Sequence, residues 1–326
     1  MSSSKNINRM LLVAVIVLAV ALAAVLIYFL AFKPPTKPVI PPGQSSSSSS
    51  SSSQSSASSQ LSLATTAFER GVENWLSIEC IYNKYGGNAT LNAVNNIYTI
   101  AYGYIYDYEE TSNITYLLMY PIAQYQYIAS KYPDCAVSES DQSLVNTVLG
   151  ALSNINTVAY TLNIPGNLLG TPLFIVFDKA NNVTYVLAGA SPYVFDAIND
   201  AIRGNITIFV YQGQELGYGF KANSTQVSFI NELISSGLRI GNPNANITVI
   251  EFLDPECPPY CALFQVMYGR SLETMIGSGY VYYVIHYFPT HVLGYGCSSP
   301  TIAQMLGPYC GNNLTTQKLF KYTHLH

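Results

Sequence analysis

Two cysteines three residues apart, Cys257 and Cys261 in Glu256-Cys-Pro-Pro-Tyr-Cys261, are the part of this chain best suited to chemistry. A pair at this spacing supports thiol–disulfide exchange, half of a soft-metal site, or a structural clasp. If a helix starts here, its unpaired N–H groups and positive end stabilise a thiolate, so the first cysteine becomes both nucleophile and leaving group. Proline is tolerated in such a first turn because its missing N–H costs nothing there. On a regular helix the spacing sets the two Cα atoms about 6 Å apart, near the long end of the disulfide range. The available imidazoles are His286, His291, His324 and His326, and thiolates with an imidazole suit copper.

The elements around the pair are those a redox dithiol needs. The apolar run 247–253 reads as a strand leading into it, and 280–288 as the next strand. Upstream, 68–132 reads mainly as helices, with apolar residues at three and four spacing in 91–102 and 116–128, and 143–162 continues that texture. The chain changes character at 170–177, whose turn at 178–182 leads into 183–188 as a β-hairpin. A helix over 192–202, a hairpin-like piece over 206–220 and a short helix near 226–236 follow. The many tyrosines of the helices read as a packed core with polar rims.

The stretch Ile240-Gly-Asn-Pro-Asn-Ala-Asn-Ile-Thr-Val-Ile-Glu-Phe-Leu-Asp-Pro-Glu-Cys-Pro-Pro-Tyr-Cys261 resembles the start of DsbA-like thiol-disulfide oxidoreductases of the thioredoxin fold. In that family a strand carrying an acidic residue leads to Cys-Pro-x-Cys and a helix. Glu251 stands where the family has a buried proton-transferring acid, Tyr287-Phe-Pro289 resembles the end of its next strand, and 319–324 the start of its helical insertion. The motif here is one residue longer, so the family's redox potential does not carry over. The family's cis-proline strand, closing hairpin and last helix are missing after Cys261, but 154–177, with Gly170-Thr-Pro172, resembles the approach to that strand, and the segment to Ile202 resembles the rest. The resemblance therefore implies an α/β, thioredoxin-like fold with a helical insertion and a circularly permuted order. Residues 61–203 would supply the helical and cis-proline half, and 204–326 the hairpin and redox half. A less economical alternative has two thioredoxin-like domains, the second cut short. The implied site is Cys257, Cys261, Glu251 and Pro172, with no cofactor. The runner-up is a Sco-like copper chaperone, also of thioredoxin fold with Cys-x-x-x-Cys, which would use Cys257, Cys261 and His286. A surface protein keeping the fold for its shape alone is the third reading.

Residues 11–32 are apolar and uncharged, long enough for a transmembrane helix, and end without the small-residue pattern of a cleaved signal. Lys5 and Arg9 on one side face Lys33 and Lys37 on the other, so flanking charge does not orient the span. Seven Asn-x-Ser/Thr sites, at Asn88, Asn113, Asn182, Asn205, Asn223, Asn246 and Asn313, all follow it, and with six cysteines they favour a short cytoplasmic tail over 1–10 and an exported body. The stretch 33–60, rich in Pro and then Ser, reads as a tether without a core. Cys80, Cys135, Cys297 and Cys310 read as structural; pairing the first two and the last two would staple one half each, although other connectivities fit the spacing too. A net charge of −4 offers no basic patch for nucleic acid. With 10% charged residues and 27 tyrosines, the surface suits an acidic exterior, such as that around an acid-living archaeon. The expected partners are exported proteins with thiols or disulfides, the membrane, and an electron-transfer partner that the sequence does not identify.

Overall fold

A computed structural model describes residues 54–257 and 260–311. The apolar span over 11–32, Asn313, His324, His326 and the segment 319–324 lie outside the described residues. No helix among the described residues is long and apolar enough to cross a membrane.

Four helices come first: α1 (Gln54–Tyr85), α2 (Gly87–Thr111), α3 (Thr115–Lys131) and α4 (Asp141–Leu162). Helix α1 begins inside the stretch expected to be tether, because Ser, Ala, Gln and Leu continue a helix at little cost once the buried stripe of Ala64, Ala67, Phe68 and Val72 anchors it. Helix α4 starts at Ser140, whose hydroxyl accepts from Ser143 N, and stops at Asn163 in the left-handed conformation. The hairpin β1 (Leu173–Asp178) and β2 (Val183–Ala188) comes next, then α5 (Tyr193–Arg203), the hairpin β3 (Ile208–Tyr211) and β4 (Gln214–Lys221), and α6 (Ser224–Ser236). Helix α6 opens on a capping box between Asn223 and Gln226. Strands β5 (Leu238–Gly241) and β6 (Ile247–Leu253), helix α7 (Tyr260–Gly277), strand β7 (Val281–Tyr287) and short helices α8 (Thr290–Ser298), α9 (Pro300–Leu306) and α10 (Pro308–Gly311) complete the order.

All seven strands form one sheet in the order β3-β4-β2-β1-β6-β7-β5. Strands β6 and β7 run parallel, and every other pairing is antiparallel. Every residue of β1, β6 and β7 is buried, which is why these strands read as continuous apolar runs rather than alternating ones. Strand β1 pairs with β6 from Leu173 opposite Phe252 to Asp178 opposite Ile247. Strands from 61–203 and from 204–311 thus share one sheet. Helix α1 packs on α3 and α8, α2 on α7, and α5 on β1 and β2.

Two disulfides brace the helical parts. Cys80 to Cys135 ties α1 to the turn after α3, and Cys297 to Cys310 ties α8 to α10. The six described sequon asparagines, Asn88, Asn113, Asn182, Asn205, Asn223 and Asn246, are all exposed.

The Cys80–Cys135 bridge closes a loop with a sequence separation of 55. Replacing both cysteines with alanine is expected to lower unfolding stability by about 3–4 kcal/mol through the freer unfolded chain. Urea unfolding of the two proteins, compared at equal slope, measures it.

Candidate functional site

Strand β6 delivers the site from the middle of the sheet. Glu251 is fully buried on it, and the Tyr283 hydroxyl of β7 donates to its Oε2, while Oε1 has no partner. Burial pushes the Glu251 carboxyl up to about 7 against the pull of the Tyr283 bond. The strand ends at Leu253, and the chain turns through Asp254-Pro-Glu-Cys257 to reach α7.

This turn is buried: Asp254 and Glu256 are 0% exposed and Cys257 1%. Its own polar groups close part of it, since Asp254 Oδ1 accepts Glu256 N at 3.0 Å and Asp254 O accepts Cys257 N at 2.9 Å. The helical region supplies the rest. Tyr98 of α2 donates its hydroxyl to Asp254 O at 2.9 Å, Gln124 of α3 donates to Pro255 O at 3.0 Å, and Tyr120 of α3 donates to Glu256 O at 2.6 Å. Three successive carbonyls are thus each capped by a side chain. Asn74 of α1 donates to Glu256 Oε1 at 2.9 Å, and the Tyr120 and Tyr295 hydroxyls meet at 2.8 Å. Burial drives the Glu256 carboxyl well above the usual range; Asn74 opposes this and the charge of Asp254 adds to it. A methyl on Gly71 would press on Glu256 Cγ at 2.9 Å and Val292 Cγ2 at 2.6 Å, so α1 approaches the turn with only a hydrogen in between.

Cys257 and Cys261 form a disulfide with Cα atoms 5.5 Å apart, somewhat closer than on a regular helix. Helix α7 begins at Tyr260, so Cys257 precedes it rather than opening it. The Cys261 backbone N–H points at Cys257 Sγ, 3.3 Å away. That is the contact that stabilises a thiolate at the first cysteine. The Thr171–Pro172 peptide is cis, and Thr171 O lies 3.4 Å from Cys257 Sγ. Pro172 leads directly into β1 beside β6, which brings the Thr171–Pro172 loop to Cys257, while Glu251 lies on β6 opposite Phe174 of β1.

A polar bridge fixes this meeting. Asp254 Oδ2 accepts the His291 backbone N–H at 2.6 Å and the Thr290 hydroxyl at 3.0 Å, and Thr290 Oγ1 in turn lies 2.9 Å from Thr171 Oγ1. Asp254 therefore joins the redox turn, the start of α8 and the proline loop. His286 takes no part in the pair: it is buried within β7, its Nε2 lies 2.8 Å from Leu233 O, and its ring stacks on Phe252. Among the described residues no three His, Cys, Asp or Glu side chains are grouped to hold a metal ion, so the copper alternative lacks a third ligand there.

Sequence reasoning did not single out Asp254, Glu256, Asn74, Tyr98, Tyr120, Gln124 or Thr290. The one available signal was the pair of acids flanking Pro255 beside the cysteine, a pattern that also suits an exposed turn.

The buried carboxyls set the pH response of the fold. Above about pH 4.5 the unfolded chain releases the proton that folded Glu251 keeps until about 7, so stability falls across that window. Glu69, Glu73, Glu79 and Glu256 are also raised, chiefly by burial, and act in the same direction. The midpoint of thermal unfolding is expected to be higher near pH 4.5 than near pH 8. Glu251→Gln should reduce that difference, recovering roughly 3 kcal/mol at the upper end. Calorimetry of both proteins at the two pH values checks it.

Comparison of the chain with curated proteins and with solved structures gives no match. Residues 235–323 match the family described as Thioredoxin. Among the described residues that match runs from the end of α6 through β5, β6, α7, β7, α8, α9 and α10, and it contains both cysteines of the pair and Glu251.

Proposed function

We propose that this chain is a membrane-anchored, extracellular thiol–disulfide oxidoreductase of DsbA-like type with a permuted order, acting on exported proteins. The observation that carries the reading is the convergence at Cys257 Sγ: a helix N–H at 3.3 Å from Cys261, and the carbonyl preceding cis-Pro172 at 3.4 Å. The thioredoxin-like match covers the redox half. The order of the sheet supports permutation. The redox strand β6 lies between the parallel β7 and the antiparallel β1 that follows Pro172, yet β1 precedes β6 in the chain. The apolar span over 11–32 would anchor the chain, and the exposed sequons suit a body outside the membrane.

In this reading a client thiolate attacks Cys257 Sγ, the Cys257–Cys261 bond breaks, and Cys261 leaves as a thiolate that takes a proton through Glu251. A second client thiolate then displaces Cys257, leaving the client oxidised and the pair reduced. In the reverse direction Cys257 attacks a client disulfide and Cys261 resolves the mixed disulfide. Pro172 and Thr171 present backbone to the client strand. Exchange itself needs no cofactor, and a separate electron partner resets the pair.

Cys261→Ser is expected to trap clients as mixed disulfides on Cys257, whereas Cys257→Ser should abolish exchange with a model disulfide. Non-reducing gels of the full chain with exported thiol proteins read the first outcome. No trapped species, together with Cys257 alkylating no faster than an ordinary thiol, would sink the proposal.

A further inference from the structure

The redox pair lies among buried acids, which raises the question of where a proton from outside enters. Glu251, Asp254 and Glu256 are 0% exposed, and Tyr98, Tyr120 and Tyr295 are buried. Among the ionisable side chains bonded into this network, His291 is the one that reaches solvent, its side chain 20% exposed against 0% for Asp254.

Its orientation follows from its partners. Asp254 Oδ2 already accepts the His291 backbone N–H and the Thr290 hydroxyl, so it acts as an acceptor towards the ring as well. His291 Nδ1 lies 3.2 Å from that oxygen and 3.0 Å from Thr290 Oγ1; with the Thr290 hydrogen given to Asp254, both neighbours accept, so Nδ1 carries the hydrogen and Nε2 keeps its lone pair. A carboxylate that fixes the tautomer of an imidazole this way leaves the far nitrogen free to act as a base. Asp254 also links the ring to the cysteine pair, because its carbonyl accepts Cys257 N while its carboxylate holds His291. Around that carboxylate lie Glu256 on the same loop, Tyr98 of α2, Tyr120 of α3, Tyr287 of β7 and Tyr295 of α8.

We propose that His291, oriented by Asp254, is the base that takes the proton from an incoming client thiol; this rests on the oxidoreductase reading above. In the oxidising direction the client R–SH gives its proton to His291 Nε2, and the resulting thiolate attacks Cys257 Sγ. The Cys257–Cys261 bond breaks as the new S–S bond forms, and Cys261 leaves with the electron pair. The imidazolium returns its proton to solvent. The cysteine disulfide is the only oxidant in the step. The base matters because an ordinary client thiol stays protonated below its pKa, and only the thiolate attacks.

The test reduces the oxidised full chain around pH 6 with two probes: 2-mercaptoethanol, protonated there, and thionitrobenzoate, already ionised. His291→Asn keeps a donor facing Asp254 but has no base, and His291→Gln is run beside it. Both are expected to slow the mercaptoethanol reaction by roughly 10²-fold and leave the thionitrobenzoate rate within about twofold. Equal losses on both thiols in both variants, or no loss on either, overturn the assignment to His291. A wild-type disulfide that reacts with neither thiol overturns the oxidoreductase reading itself, and the assignment with it.

Discussion

The carbonyls of Asp254, Pro255 and Glu256 lie between the end of a central strand and the start of a helix, where neither ladder can pair them. A buried carbonyl left unpaired costs free energy comparable to a lost hydrogen bond; the Cys257 N–H meets Asp254 O from within the turn, and the other donors come from elsewhere. Tyr98, Gln124 and Tyr120 provide one each. The helices that precede the sheet are thus the support of the redox turn. Asn74 extends the same support to the Glu256 side chain, and the absence of a side chain at Gly71 allows α1 to come close enough to provide it.

The same constraint explains why distant segments converge. Thr171 and Cys257 are 86 residues apart, yet the pairing of β1 with β6 sets the proline loop beside the redox turn. Asp254 then locks the arrangement, since each of its polar atoms serves a different segment: Oδ1 the turn, the carbonyl Cys257 and Tyr98, and Oδ2 the start of α8 and through Thr290 the proline loop. A dithiol whose surroundings are fixed by backbone and buried side chains keeps its sulfur environment through a change of oxidation state. Burial keeps Glu251 and Glu256 protonated at low pH, which fits a chain of which only 10% of the residues are charged.

Much of this was legible before the fold was known. Strand β6 reads plainly because Ile, Val, Phe and Leu run almost unbroken through it, and the one acid within the run marks Glu251. The hairpin of β1 and β2 reads equally well from its apolar runs and the Asp-Lys-Ala-Asn-Asn turn between them. Strand β5 did not, since two buried positions, Leu238 and Ile240, are too few to establish an alternation. The side chains that cap the turn were illegible for a different reason. Tyr98 and Tyr120 are two of 27 tyrosines, and Gln124 and Asn74 sit on helices carrying many amides. Which of them turns inward, and onto which carbonyl, is decided by how α1, α2 and α3 pack against the sheet. The two acids around Pro255 were illegible in the same way: acids so placed also suit an exposed turn, and only tertiary packing buries them.

The central claim is that hydroxyl and amide caps from the helical region hold the redox turn in place. Amide hydrogen exchange at Glu256 and Cys257 in the Tyr98→Phe/Tyr120→Phe protein tests it most directly. Losing Tyr120 removes the side-chain donor to the buried Glu256 carbonyl, at about 1–3 kcal/mol, and losing Tyr98 leaves Asp254 O with the Cys257 N–H alone, so both amides should exchange at least ~10-fold faster while those of β6 and β7 keep their protection. Unchanged protection at Glu256 and Cys257 would mean that the turn is held by its own bonds and that the helices merely cover it.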